Sequence, residues 1–160
     1  MTERPEGAYM KLELGRQSDY AIRAAVDLAR HHAAGGRRKA RQIADEMDIP
    51  ATYVPHVLAD LVRAGLAMSH AGPTGGYELA LPPEQVSLLD VIRAADEDPT
   101  SGVCVLRGGP CRWEDSCAVH EFWFDAQRAM LGRLDGASLA DVTEQDVALE
   151  SGAAVAPSGP

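Results

Sequence analysis

The first half of the chain alternates apolar positions at helical spacing with short polar breaks. From Ser18, apolar residues recur every three or four positions, and this period predicts a first helix that ends near Ala34, before two glycines. The same period predicts a short second helix over residues 40–48. A third helix is expected to begin after Thr52, a candidate capping residue, and to end at Gly65.

Two short apolar runs follow the third helix. Residues 66–69 and 77–81 have the composition of strands, and Pro73, Gly75 and Gly76 between them favour a hairpin loop. Helix, short helix, helix, hairpin is the order of a winged helix-turn-helix, in which the third helix enters the major groove of DNA. The alternative is a small α+β domain with another purpose.

The second half is predicted to be helical on both sides of a cysteine-containing loop. One helix covers residues 87–95 and a longer one covers residues 118–134. The longer helix has a continuous apolar stripe with two large aromatics, formed by Val119, Phe122, Trp123, Ala126, Met130 and Leu134. This stripe needs a partner surface: either its own winged domain or, the interpretation we favour, the same helix of a second copy. The expected fold is mainly α with a small β-hairpin wing, a winged helix-turn-helix plus a long dimerisation helix.

Length and charge narrow the class of protein. The 160 residues fit one domain with an appended element, and the net charge of −9 is uneven: residues 1–81 carry ten basic and ten acidic side chains, residues 82–160 five and fourteen. Only the first part can therefore approach a polyanion. No segment has the roughly 18 uninterrupted apolar residues of a membrane span, and the N-terminus lacks a signal-peptide pattern. We expect a cytoplasmic protein without membrane association.

All three cysteines lie in one short segment. Cys104, Cys111 and Cys117 are separated by six and then five residues, and His120 follows three positions after the last. These gaps are wider than the CxxC pairs typical of structural zinc, whereas iron-sulfur clusters take thiolates by preference. Three thiolates leave one position for a different ligand, and a mixed site of this kind is expected to be labile, as a sensor requires.

Other chemistries remain open for the same segment. A zinc site and thiols without a role both fit the residues. A catalytic cysteine with His120 as its base lacks a third member and an oxyanion site, so we do not expect an enzyme.

Several segments together resemble the IscR/NsrR/RirA family of winged-helix, iron-sulfur transcription regulators. The similarity covers Met10 to Val142 and leaves residues 1–9 as an N-terminal extension. The segments that carry it are MKL at 10–12, DYAIRAAVDLA at 19–29, GPTGGYELA at 72–80, SLLDVIRAAD at 87–96 and SLADV at 138–142.

The resemblance implies a homodimer in which a 2Fe-2S or 4Fe-4S cluster governs affinity for promoter DNA. Cys104, Cys111 and Cys117 match the three cysteine ligands, with a first gap one residue longer than in IscR. His120 matches the histidine of IscR-like members and is our first choice of fourth ligand. Asp19, which matches a carboxylate supplied by the partner subunit in NsrR-like members, is the alternative.

Candidate DNA contacts are Thr52, Tyr53 and His56 on the third helix. Phosphate contacts are expected from a basic run whose alternative role is a solvated loop: Arg37, Arg38, Lys39 and Arg41. Ala71 replaces the family's wing arginine and Pro55 replaces a glutamate of IscR, so sequence preference is expected to differ from that of IscR.

The sequence thus predicts a DNA-binding transcriptional regulator whose affinity depends on an iron-sulfur cluster that senses redox state, nitric oxide or iron supply. The alternative is a zinc- or thiol-containing regulatory module that acts through a protein partner. The expected divisions are the winged helix-turn-helix at 10–83, the cluster loop and dimerisation helix at 84–142 and a flexible tail at 143–160.

Overall fold

The computed structural model describes residues 14–95 and 117–153. Within these ranges the chain forms helices, a hairpin and a short 3-10 helix, in an order that confirms the predicted, mainly helical fold with a small β-hairpin. The elements are α1 (Arg16–His32), α2 (Ala40–Glu46), α3 (Val54–Arg63), β1 (Ala67–His70), β2 (Gly76–Leu79), the 3-10 helix (Pro83–Gln85), α4 (Leu88–Ala94), α5 (His120–Asp135) and α6 (Leu139–Glu150).

Helix α1 lies at the centre and packs against α3, α4 and α6. Its buried face includes Ala21, Ala24 and Ala25, whose small side chains let neighbouring helices approach closely. Larger side chains from the other helices fill the space around it, among them Ile43, Val57, Leu58, Leu61 and Val91. Burial of this apolar surface supplies the main driving force for folding.

The start of α3 corrects one expectation, because Thr52 does not cap this helix. Tyr53 is the N-cap residue and makes no side-chain capping bond. Thr52 lies instead in the preceding turn, in which the Tyr53 amide donates to the Pro50 carbonyl oxygen at 2.8 Å. Pro55 lies in the first turn of the helix, as predicted, where a missing amide hydrogen costs no helical bond.

The ends of α2 and α3 are set by residues in the left-handed region. Asp48 has φ of 51°, and α2 ends at Glu46, two residues earlier than predicted. Gly65 has φ of 75°, which glycine adopts without strain. The Leu66 amide donates to the Leu61 carbonyl oxygen at 2.9 Å, which closes α3 with a left-handed C-terminal turn at the predicted glycine.

Strands β1 and β2 form the predicted antiparallel hairpin, called the wing below. Ala67 pairs with Leu79 at one end and His70 with Gly76 at the other. A Cβ atom at Gly75 would lie 2.1 Å from the carbonyl oxygen of His70, so the loop requires glycine there.

The junction between α5 and α6 is hydrogen-bonded to the segment that leads into α4. The Leu88 amide donates to the Ala137 carbonyl oxygen at 2.8 Å, and the Leu139 amide donates to the Val86 carbonyl oxygen at 2.7 Å. The side chain of Leu139 is completely buried. These contacts fix the C-terminal end of α5 against the start of α4.

Helix α6 corrects the prediction of a flexible tail from residue 143, because the helix continues to Glu150. Arg30 of α1 makes ion pairs with Asp146 and, at 2.9 Å, with Glu150. The remainder of the predicted tail, residues 154–160, and the predicted extension at 1–9 lie outside the described residues. Among the helices of 14–95 and 117–153, none is both long and apolar enough to span a bilayer.

Candidate nucleic-acid interface and cysteine site

The side chains predicted to read DNA lie at the beginning of α3 and in the turn that precedes it. Thr52, Tyr53 and His56 are all exposed at the beginning of the helix. The opposite face packs into the core through Val54, Val57, Leu58 and Leu61. The packing of one face therefore leaves the other free to enter a groove.

Tyr53 is held by a contact that no local pattern in the sequence indicates. Its ring packs on the ring of Tyr20 in α1, with centroids 5.4 Å apart and an angle of 54° between the planes. Further along α3, the Asp60 carboxylate accepts hydrogen bonds from Gln17 of α1 at 2.7 Å and from Arg63 at 2.6 Å. The first turns of α1 thus contact α3 at two points and orient it.

Three of the four residues in the predicted basic run are exposed. Arg37 and Lys39 lie in the segment before α2, and Arg41 lies on α2 with 92% of its side chain exposed. The guanidinium of Arg37 is 3.9 Å from the Glu78 carboxylate of the wing. These three side chains remain available to phosphate groups.

Arg38 corrects the prediction, because its side chain points into the protein. The guanidinium makes a two-point contact with the completely buried Asp27 carboxylate, at 2.9 and 3.0 Å. A third bond joins it to Glu46 of α2 at 2.9 Å. The hydrogen bond to Asp27 raises the pKa of Arg38 above its usual value, and this effect exceeds the lowering caused by burial. All of these contacts are internal, so Arg38 is not a phosphate contact.

The cysteine site is described only in part. Cys104 and Cys111 lie outside the described residues, whereas Cys117 is half-buried and directly precedes α5. His120 begins α5, and its amide donates to the Cys117 carbonyl oxygen at 3.1 Å. The His120 ring stacks on Phe124, with centroids 5.9 Å apart. A thiol and an imidazole thus lie within one turn of each other, and both donor types suit iron.

Asp19, the alternative fourth ligand, lies on a different element. It is in the first turn of α1, and its carboxylate accepts a hydrogen bond from Arg23 at 3.0 Å. Arg23 also donates to the Met47 carbonyl oxygen at 3.3 Å. In the described part of the chain, no group of three or more histidine, cysteine or acidic side chains is placed to hold a metal ion. The structure therefore does not unite Asp19 with Cys117 and His120 within one chain.

Helix α5 has no buried residue among those of the described chain. Phe122 is 79% exposed, and Phe124 and Val119 are also exposed. The other large members of the predicted stripe, Trp123, Met130 and Leu134, are half-buried. An apolar face of this kind on a long helix is unusual for a monomer in water.

Comparison with known proteins identifies the family. The sequence profile of Rrf2, described as an iron-dependent transcriptional regulator, matches residues 14–145. The chain belongs to the Rrf2 family. Its order of helices and hairpin is that of winged-helix Rrf2 regulators.

Named Rrf2 relatives cover most of the chain. The HTH-type transcriptional regulator IscR of Aliivibrio salmonicida (strain LFI1238) is 32% identical over 131 residues, which are 82% of this chain and 77% of the relative. IscR of Escherichia coli O1:K1 / APEC is 31% identical over 139 residues, 87% of this chain and 85% of the relative.

Solved structures show the same fold. IscR of T. potens superposes with a TM-score of 0.68 at 27% identity, covering 93% of this chain and 96% of that one. CymR, the global cysteine regulator of B. subtilis, superposes with a TM-score of 0.72 at 23% identity, covering 84% and 98%. The Rrf2 chain described here is therefore a DNA-binding transcriptional regulator with a winged helix.

Proposed function

We propose that this Rrf2 protein is a cytoplasmic, homodimeric regulator whose affinity for promoter DNA is set by an iron-sulfur cluster. The proposed ligands are Cys104, Cys111 and Cys117, with His120 as the fourth and Asp19 as its alternative. The observation that carries the proposal is the position of Cys117 and His120 at the beginning of α5, the exposed apolar helix. The similarity to relatives named IscR supports a regulator of this kind.

The proposed DNA contacts are predicted side chains that the structure leaves exposed. Thr52, Tyr53 and His56 face outwards at the start of α3 and would contact base edges in the major groove. Arg37, Lys39 and Arg41 are exposed nearby in the chain and would contact phosphates, which position the protein without reading sequence. The recognition helix is therefore α3, and Arg38 is left out of the contact set.

The second copy would cover α5. Phe122 and Phe124 lie in the first turns of this helix, next to His120, so the dimer contact and the proposed cluster site share one end of one element. A two-fold pair also suits DNA sites with two half-sites, because symmetry repeats the recognition helix at a fixed spacing.

The signal would pass from the cysteine loop to α3 through packed helices. Helix α5 packs on α4, and α4 packs on both α1 and α3. A bound cluster would supply a redox-active group that redox state, nitric oxide or iron supply can alter. Reordering of the loop before α5 would shift α5 on α4 and change the spacing of the two recognition helices, as a shift between two populations.

The cofactor is tested by the absorption spectrum of protein purified without oxygen, together with iron and sulfide analysis. Visible bands that are bleached by air or nitric oxide, with iron and sulfide in similar amounts, are expected. Cys111→Ala should abolish these bands. Colourless protein that contains zinc, or no metal after reconstitution, would contradict the proposal and favour a zinc- or thiol-containing module that acts through a protein partner.

The fourth ligand is tested by comparing His120→Ala with Asp19→Ala. We expect His120→Ala to shift the spectrum and lower the cluster content, and Asp19→Ala to retain both. Glu121→Ala, one residue further along α5 and exposed, is the matched control for a change at the helix start. The reverse result would assign the ligand to Asp19, and no change in either variant would exclude both residues.

A further inference from the structure

Arg38 differs from the other basic residues around it in that it touches three elements at once. Its guanidinium contacts Asp27 of α1 at 2.9 and 3.0 Å and Glu46 of α2 at 2.9 Å. Its main chain pairs with the wing: the Arg38 amide donates to the Tyr77 carbonyl oxygen, and the Tyr77 amide to the Arg38 carbonyl oxygen, both at 2.8 Å. One residue therefore joins the central helix, the helix-turn-helix and the hairpin.

The side-chain contact is directional. A guanidinium is a planar fork of donors, and its two-point contact with a carboxylate fixes orientation as well as distance. Asp27 is completely buried, and His31 of the same helix comes no nearer to its carboxylate than 3.9 Å, so its charge requires the Arg38 guanidinium as partner. The pair holds the backbone of Arg38 in one place relative to α1.

The main-chain contact needs a close approach that the sequence permits. Gly76, next to Tyr77, has φ of 146°, and a Cβ atom there would lie 2.7 Å from the Arg38 carbonyl oxygen. Glycine at this position lets β2 pair with the segment that contains Arg38. Arg38 and Tyr77 thus form an antiparallel bridge along the outer edge of β2.

The base of the wing is attached by apolar packing. Ala67 of β1 and Leu79 of β2 are buried in the core, and the two strands pack on α3 and α1. The Ala80 amide, which donates to the Leu66 carbonyl oxygen at 2.9 Å, continues the hairpin ladder by one pair. The Arg38 pairing is made at Tyr77, two residues nearer the wing tip than Leu79, and adds directional main-chain bonds to the non-directional packing at the base.

We propose that Arg38 is a positioning residue for DNA binding: through Asp27 and Glu46 it fixes the wing at a set distance from the recognition helix. This inference rests on the proposed binding of DNA through α3, and it adds the wing as a second element in contact with DNA. Arg38 does not touch the DNA. Its loss would release the wing contacts and leave the contacts of α3 in place.

The test compares Arg38→Lys with Arg93→Lys in the full-length protein. Lysine keeps the charge but cannot make the two-point contact. Arg93 lies exposed on α4 and provides the same substitution on the surface. Glu46→Gln is the milder variant, because Glu46 is half-exposed and its removal leaves the buried Asp27 pair intact. Thermal melts followed by circular dichroism identify variants that are folded.

The probe is a duplex that the wild-type protein selects from a random-sequence pool. Thr74→Glu places a negative charge at the exposed tip of the wing, where it should repel DNA. The base pairs that lose hydroxyl-radical protection in this variant are those that the wing protects. A second duplex lacks those base pairs. Affinity for both is measured by fluorescence anisotropy.

We expect Arg38→Lys to bind the full duplex about tenfold more weakly, the usual effect of losing one or two groove contacts, and to lose the wing part of the footprint. Glu46→Gln should lose less, and Arg93→Lys should bind as wild type. On the short duplex, Arg38→Lys and wild type should bind equally. An equal loss on both duplexes would assign Arg38 to folding alone, and wild-type affinity on both would also overturn the inference. If wild type selects no duplex, the proposed function fails instead.

Discussion

The contact between Tyr20 and Tyr53 links the central helix to the side chains that are proposed to face DNA. Tyr53 is partly exposed, and its ring lies 5.4 Å from that of Tyr20. Tilted aromatic pairs at this separation stabilise by about 0.5–1.5 kcal/mol beyond the area they bury. The pair therefore restricts the Tyr53 ring, which would reduce the entropy lost in the proposed contact with DNA.

Arg41 and His56 are predicted to contribute to binding in different ways. Arg41→Gln should weaken binding to all sequences and reduce the slope of log affinity against log salt by about one, because one phosphate contact is lost. Arg41→Lys is the matched control and should keep the slope.

His56→Ala should keep the slope as well but change the preferred base at one position. Anisotropy titrations at several salt concentrations measure both effects, and an unchanged slope in Arg41→Gln would exclude Arg41 as a phosphate contact.

The basic run shows what sequence can predict at the scale of residues. The exposure of Arg37, Lys39 and Arg41 agrees with their predicted surface role, whereas Arg38 is internal. No local pattern distinguishes Arg38 from Arg37, because its partner Asp27 is eleven residues away. A signal was nevertheless present: Asp27 is an acidic residue in the middle of an apolar run, and a buried carboxylate needs a cation.

At the scale of elements, the second half of α6 is held by polar contacts, whereas its first half packs on the core through Leu139 and Val142. Arg30 pairs with Asp146 and Glu150, while Val147 and Leu149 remain exposed. The helical period of apolar residues is therefore weak after Val142, and the prediction of a flexible tail from residue 143 was wrong as far as Glu150. The earlier elements were predictable because burial of one face gives each a clear period.

The N-terminal cap of α6 is predicted to make its stability depend on pH. The Asp141 carboxylate accepts hydrogen bonds from the Ser138 hydroxyl at 2.7 Å and the Ser138 amide at 3.1 Å. These bonds, the hydroxyl bond first, lower the pKa of Asp141 below its usual value of 3.8. Because the pKa of Asp141 is lower in the folded state, its ionised carboxylate contributes fully to the stability of the fold above pH 3.8. This contribution is lost as the pH falls through the folded-state pKa.

Asp141→Asn tests this dependence. The variant should melt at a lower temperature than wild type at pH 7, and the difference should narrow as the pH is lowered below 3.8, because the wild-type carboxylate is then protonated. Melting curves recorded by circular dichroism over this range give the comparison. A difference that stays constant down to the lowest pH would show that the charge of Asp141 does not contribute.

For the whole molecule, α5 is the surface that a second copy is proposed to cover. Phe122→Asp should convert the dimer to a monomer, since a charge at the centre of an apolar interface has no partner. Leu81→Asp introduces the same charge at an exposed apolar residue outside α5 and should leave the dimer intact. Light scattering after size-exclusion chromatography gives the mass of each variant. A dimeric Phe122→Asp protein, or a monomeric wild type, would contradict the proposed interface.

The order of elements in the winged domain was predictable from sequence, and so was the long helix after the cysteines. The assembly of the cysteine site could not be predicted. The spacing of the cysteines limits the type of metal site but does not determine which side chains approach one another. Cys117 and His120 are one turn of backbone apart, whereas Asp19 lies on a different helix, α1.

The central claim is that the cluster controls DNA binding, and the most direct measurement is the affinity of anaerobically purified protein for its selected duplex before and after the cluster is removed. A coupling of typical size predicts a change of about five- to 150-fold in Kd. Cys111→Ala should show the affinity of the cluster-free protein under both conditions. Equal affinity of the two wild-type forms would contradict control by a cluster while leaving a winged-helix DNA-binding protein.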